Sequence, residues 1–200
     1  IEALNGLGIA YRQQGEFEQA RACHEKALSL SRQRGNRPGE ARAFNDLGVM
    51  AFYRRHFTEA LAYHQQALEI RRAMGDRPGE GTSLYNMAMA TRDANDFGQA
   101  QLYLSEALKI LQATGNRWDE VNVWNELGIL YQEVGHLAQA QTCLEQALQL
   151  NREIGDEGGK IYVLGNLGLV MRDAGELAAA EAHLAEGLSL AQRHQDNYAV

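Results

Sequence analysis

A period constrains this chain more than any other feature: displaced by 40 residues, the sequence lands on itself. Leu7, Leu47, Met87, Leu127 and Leu167 fall into one column, and Gly8, Gly48, Ala88, Gly128 and Gly168 into the next. Ala20, Ala60, Ala100, Ala140 and Ala180 form a third, and Ala27, Ala67, Ala107, Ala147 and Gly187 a fourth. Self-similarity at such a spacing belongs to stacked repeat units, each too small to bury its apolar face alone. Length then measures repeat number. The expectation is a single array over residues 1–200, with units at about 1–40, 41–80, 81–120, 121–160 and 161–200.

Each unit reads as two helices. Phe44, Leu47, Gly48 and Ala51 follow the i, i+3, i+4, i+7 spacing of one helical face, and Ala60, His64, Ala67 and Leu68 repeat it in the following segment. Short breaks fall between the two, at Gln14-Gly15-Glu16, Arg55-His56, Asn95-Asp96, Gly135-His136 and Gly175-Glu176. Such tight turns leave the helices antiparallel. The second helix of a unit stops at Gly35, Gly75, Gly115 or Gly155, where glycine takes the left-handed conformation of a helix end. Asn36, Asp76, Asn116 and Asp156 follow as caps, with Glu40, Glu80 and Glu120 adding negative charge in the next first turn. Residue 1 enters partway through a first helix, and Asp196-Asn197-Tyr198-Ala199-Val200 reads as the opening of a sixth unit. The last unit is therefore expected to be incomplete and the segment to be excised from a longer array.

The runs ALNGLGIAYRQQGEFEQARACHEKALSL and WNELGILYQEVGHLAQAQTCLEQALQL carry A-x-x-x-L-G-x-x-Y/A, then G-x-F-x-x-A and A-L-x-I/L, and they resemble the tetratricopeptide repeat (TPR). That resemblance covers all 200 residues. It implies an all-α, right-handed superhelix, or α-solenoid, of five helix-turn-helix repeats. The family's usual spacing is about 34 residues, so each unit here is longer by about a turn and a half. This longer form, with its G-D-R-x-G-E linkers, is similar to LGN/Pins-type adaptors and to the helical arms of bacterial MalT-like signalling regulators. Arg55 and Asn95 in place of the turn glycine, Thr91 and Met171 in place of tyrosine, and Gly158-Gly159 in place of Pro-Gly depart from the pattern and bear on linker geometry.

Composition narrows the function classes. The formal net charge of −7 opposes the phosphate neutralisation on which nucleic-acid affinity rests, so no nucleic-acid partner is expected. Charge also runs along the chain, at +1, +1, −2, −4 and −3 in the successive units. No stretch approaches the roughly 20 apolar residues of a membrane span. Cys23 and Cys143, in one column three repeats apart, are too distant for a disulfide. A cytoplasmic segment with no membrane contact is the expectation. Arginine outnumbers lysine 16 to 3, which points to a GC-rich, bacterial source.

No catalytic signature survives inspection. Gly155-Asp156-Glu157-Gly158-Gly159-Lys160-Ile161 lacks the spacing and the hydroxyl of a phosphate loop. His24-Glu25-Lys26-Ala27-Leu28 begins like a zinc-protease helix and lacks its second histidine. His24 and His64 share a column with Leu104, Leu144 and Leu184, which reads as packing. The chain is expected to be a non-enzyme with no metal and no cofactor.

The resemblance implies a concave groove lined by the first helix of each pair. Carried over residue by residue, the peptide-binding positions are Asn5, Arg12, Arg42, Asn45, Tyr53, Tyr85, Asn86, Arg92, Asn125, Asn166 and Arg172. An Asn amide offers donor and acceptor to an extended backbone whatever its sequence, and Arg forks onto a carboxylate. Ile9, Val49, Met89, Ile129 and Leu169 form an apolar line beside them, open to two readings: a groove floor, or packing between first helices. Asp46, Asp93, Glu126, Glu133 and Asp173 stand close enough in sequence for the arginines to be internally paired. The function implied is a protein–protein interaction scaffold that holds a partner peptide. The alternative is the sensor arm of a larger bacterial signalling ATPase or transcription regulator, and self-association through uncapped ends is a further expectation.

Overall fold

A computed structural model describes the backbone of residues 1–198 and the side chains through residue 193. These residues form ten helices and no strand: α1 (Glu2–Gln13), α2 (Phe17–Gln33), α3 (Arg37–Tyr53), α4 (Phe57–Met74), α5 (Arg77–Asp93), α6 (Phe97–Thr114), α7 (Arg117–Glu133), α8 (Leu137–Ile154), α9 (Glu157–Asp173) and α10 (Leu177–Tyr198). The fold is all-α and built of helix-turn-helix repeats. The expected opening of a sixth unit at 196–200 lies at and beyond the end of α10, outside the residues whose side chains are described.

The punctuation has a physical cause at each joint. Asn36, Asp76, Asn116 and Asp156 each accept a hydrogen bond from the backbone N–H three residues on, at 3.1, 3.1, 3.3 and 2.9 Å, and so satisfy a donor that the helix start leaves orphaned. Between the helices of a unit, Gly15, Gly135 and Gly175 turn the chain with φ near 80°. Arg55 and Asn95 adopt the same left-handed region at φ 60° and 65° without glycine's freedom. The turn is thus imposed by packing of the helices it joins, and a glycine there is a convenience.

Two compact units form, Ile1–Ile110 and Leu111–Val200. In the first, α1 packs on α2, α2 on α3, α3 on α4 and α4 on α5, while α1 touches α3 and α3 touches α5 directly. In the second, α7, α8, α9 and α10 pack in succession and α7 touches α9. First helices therefore lie side by side within each unit. The first core gathers Phe44, Leu47, Met50 and Ile70 around Ala20, Ala27 and Ala67. The second gathers Leu144, Leu148, Val163, Leu164, Leu167 and Val170. A fully buried leucine such as Leu164 contributes about 1.5–3 kcal/mol.

Small residues allow the two helices of a unit to approach. A Cβ built on Gly8 would lie 2.5 Å from the His24 ring, and one on Gly48 would lie 2.6 Å from the His64 ring. On Gly128 and Gly168 it would meet Leu144 and Leu184, each at 2.5 Å. The glycine column and the His/Leu column are the two halves of one contact.

Glu40, Glu80 and Glu120 do more than charge a first turn. Each is buried and ties the end of one second helix to the start of the next first helix. Arg32 and Arg37 both donate to Glu40, at 3.0 and 2.7 Å. Arg72 donates to Glu80 at 2.8 Å with Arg77 alongside, and Gln112 and Arg117 donate to Glu120, both at 3.1 Å. At the fourth junction the charges are exchanged, and Lys160 pairs with Glu157. That pair lies within the first turn of α9, unlike the clamps at the first three junctions, which span two helices. Glu80→Ala is expected to cost about 1–3 kcal/mol in urea unfolding, since charge-assisted bonds are lost while both arginines can still reach water. Glu80→Gln, which keeps the shape, is expected to cost less.

Candidate functional site

Two asparagine pairs mark the exposed side of the first helices. In the first unit, Asn86 on α5 donates its amide N–H to Asn45 Oδ1 on α3 at 2.9 Å. In the second, Asn166 on α9 donates to Asn125 Oδ1 on α7 at 2.8 Å. Both pairs span 41 positions, one more than the repeat period, because each joins neighbouring columns of adjacent first helices. An Asn amide carries two N–H donors and two oxygen lone pairs, so the bond fixes each side chain and leaves hydrogen-bonding capacity over.

The remaining predicted residues divide sharply. Arg12 lays its guanidinium over the Tyr53 ring, 4.7 Å from its centroid, and Tyr53 stands 58% exposed. Tyr85 joins Asn86, Val49, Phe52, Tyr53, His64 and Met89 around a half-enclosed cavity of about 160 Å³. Asn5 is fully buried with neither side-chain polar atom bonded, and borders a cavity of about 210 Å³ with Ile1 and the exposed Arg42. Arg92 turns onto Asp93 at 2.9 Å and Arg172 onto Asp173 at 2.7 Å. Those two arginines are internally paired. The bond from Gln132 at 2.6 Å, together with Arg172, holds the Asp173 carboxyl below its ordinary range.

Val49 and Met89 wall the first unit's cavity, and every member of the apolar line from Ile9 to Leu169 keeps some exposure while its helix packs on the next.

His64 is the residue that sequence reasoning left out of the site. It is 1% exposed, and burial, with Arg71 adding to it, pushes its imidazole down to about 3. The ring is therefore neutral and packs against Gly48 while bordering the cavity. The available signal was the column itself, which is histidine in two units and leucine in three. His24, its counterpart, is likewise lowered, by burial first and then by Arg12 and Arg42. Its Nδ1 lies 3.8 Å from Asp46, whose carboxyl burial raises against the opposing pull of Arg42, Asn45 and Arg12. Among the described residues no three His, Cys, Asp or Glu side chains converge as metal ligands. Likewise, no described helix is long and apolar enough to cross a membrane.

The sequence signature of the tetratricopeptide repeat matches residues 1–73, 57–113 and 119–193. The chain belongs to the tetratricopeptide-repeat family. No curated protein matches it by sequence. Among solved structures, this tetratricopeptide chain is similar to BtubC (BKLC) from P. vanneervenii, at 22% identity and a TM-score of 0.86 over 97% of this chain and 80% of that one. It is similar to the apo form of RapI at 17% identity and a TM-score of 0.84, over 98% and 71% of the two chains. A third likeness is to the Rap conjugation gene regulator of plasmid pLS20 in complex with a Phr peptide, at 16% identity and a TM-score of 0.79, over 94% and 52%. At these identities the likeness is one of fold.

Proposed function

We propose that this chain of five tetratricopeptide repeats holds an extended segment of a partner protein against the exposed side of its first helices, with Asn45–Asn86 and Asn125–Asn166 pairing to the segment's backbone. The recurrence of the asparagine pair at one register in both units carries the reading. A packed scaffold meets the ordering cost in advance, so that cost falls on the ligand. Arg12, Arg42, Tyr53 and Tyr85 supply side-chain contacts in the first unit. Arg92 and Arg172 bind through their carboxylate partners rather than as lone cations, while Asn5, fully buried, stands behind the exposed Arg42 and does not reach the segment. The chain acts without catalysis, metal or cofactor, in the cytoplasm of a bacterium, away from nucleic acid and membrane, in the manner of an adaptor. The exposed Leu184 and Leu188 of α10 support self-association.

A second reading places the chain as the sensor arm of a bacterial signalling ATPase or transcription regulator. The fold shared with a Rap gene regulator solved with its peptide favours it. Both readings need the same groove. A peptide array probed with the whole chain tests it: Asn45→Ala with Asn86→Ala is expected to weaken captured peptides about tenfold, the effect of one or two lost hydrogen bonds. Equal binding by the variant would overturn the groove.

A further inference from the structure

We infer that the cavity between α3, α4 and α5 is an anchor pocket for one phenylalanine or tyrosine ring of the bound segment, an assignment that rests on the scaffold reading above and specifies its partner. At about 160 Å³, the cavity matches the roughly 150 Å³ of an apolar cavity that binds benzene. An indole is larger than the single ring that such a volume accommodates. Its walls are rings and thin aliphatics. Phe52 stands edge-on to Tyr53 at 5.9 Å, the arrangement aromatic pairs prefer, and Met89 adds a polarisable thioether that suits a ring edge.

Charge selects as well. His64 borders the cavity in its neutral form, so no buried cation faces the entering group. Arg12, 4.7 Å from the centroid of the Tyr53 ring, puts positive charge beside one wall and disfavours lysine or arginine side chains. Asn86 belongs both to the cavity lining and to the asparagine pair, so a ring seated in the cavity has its own backbone beside the amides that would bond it. This continuity points to a peptide rather than a free aromatic molecule.

The second unit supplies an internal control. Its equivalents of Phe52, Tyr53 and Tyr85 are Gln132, Glu133 and Gly165, and His64 is replaced by Leu144. Gln132 is tied to Asp173. The asparagine pair persists there while three aromatic walls are gone, which makes ring selection a property of the first unit.

The test uses the full chain and blocked Gly-Phe-Gly, Gly-Tyr-Gly, Gly-Leu-Gly, Gly-Trp-Gly and Gly-Lys-Gly peptides, with the Met89 methyl resonance as readout. The Phe and Tyr peptides are expected to shift it with affinity roughly tenfold above the Lys peptide, and above the Trp peptide as well. Val49→Phe, which fills the cavity, is expected to abolish the shift. Tyr85→Ala, which enlarges it, is expected to turn preference toward Trp, a gain that a misfolded variant cannot produce. Trp binding as well as Phe to the unaltered chain, or Val49→Phe leaving affinity unchanged, would overturn the ring assignment. Loss of binding in the Asn45→Ala, Asn86→Ala variant with none in Val49→Phe overturns the ring and leaves the scaffold reading standing. Ring-dependent binding indifferent to the asparagine variant keeps the cavity and overturns backbone pairing.

Discussion

Gly128→Leu is expected to destabilise the second unit by about 3 kcal/mol, the upper end of overpacking costs. A Cβ at that position alone would sit 2.5 Å from Leu144 Cγ and 3.3 Å from the Ala140 carbonyl oxygen, so both the side chain and the backbone of α8 must retreat from α7. Neither has room to do so. Leu144, on α8, is fully buried in a core it shares with Leu164 and Leu167 of α9, and its displacement transmits the strain to them. Both tryptophans, Trp118 and Trp124, lie on α7, so urea unfolding followed by fluorescence reports this unit. Gly128→Ala is expected to cost less, since the third repeat holds Ala88 at the equivalent position. Adding Leu144→Ala to Gly128→Leu is expected to recover part of the loss, because the two positions share one space and their effects cannot add. A midpoint unchanged in Gly128→Leu would remove the helix pairing on which the fold is argued.

His64→Leu is expected to flatten the acid dependence of stability. The folded-state imidazole titrates at about 3 against an ordinary 6.5. The unfolded chain therefore binds the proton first. Stability from the neutral histidine is present above pH 6.5 and falls away as the pH drops toward 3, with a loss of about 2 kcal/mol by about pH 5. Leucine, which three other repeats carry in this column, takes the same place against Gly48 with nothing to protonate. His24 contributes a loss of the same sign, and the raised Asp46 carboxyl works the other way, returning stability as the pH falls. Thermal unfolding by circular dichroism from pH 7 to 4.5 measures the slope. If the variant and the unaltered chain lose stability in parallel, His64 is not the buried base described here.

The repeat, its two-helix content and its joints are written locally, and were legible for that reason. Capping needs only an Asn or Asp with a backbone amide three residues away, and a left-handed turn needs only a residue that tolerates it. Asn95 still obeys that local logic, since asparagine tolerates the left-handed region, whereas Arg55 marks its limit. The buried Glu40, Glu80 and Glu120 were visible as charge at a helix start. Their role as clamps was not, because one partner of each, Arg32, Arg72 or Gln112, comes from the preceding helix.

By itself the sequence determined a family, a period and the helix on which each polar side chain rides, since these follow from spacing along one chain. Only the tertiary structure decided which side chains meet across it. It set Asn86 against Asn45, turned Arg92 and Arg172 onto neighbouring aspartates, and placed the His64 ring beside Tyr85 and Met89 at the edge of a cavity. Those contacts depend on how far one helix slides and rotates against the next. That offset is a sum of many small packing terms spread over both faces, and no single stretch of residues contains it.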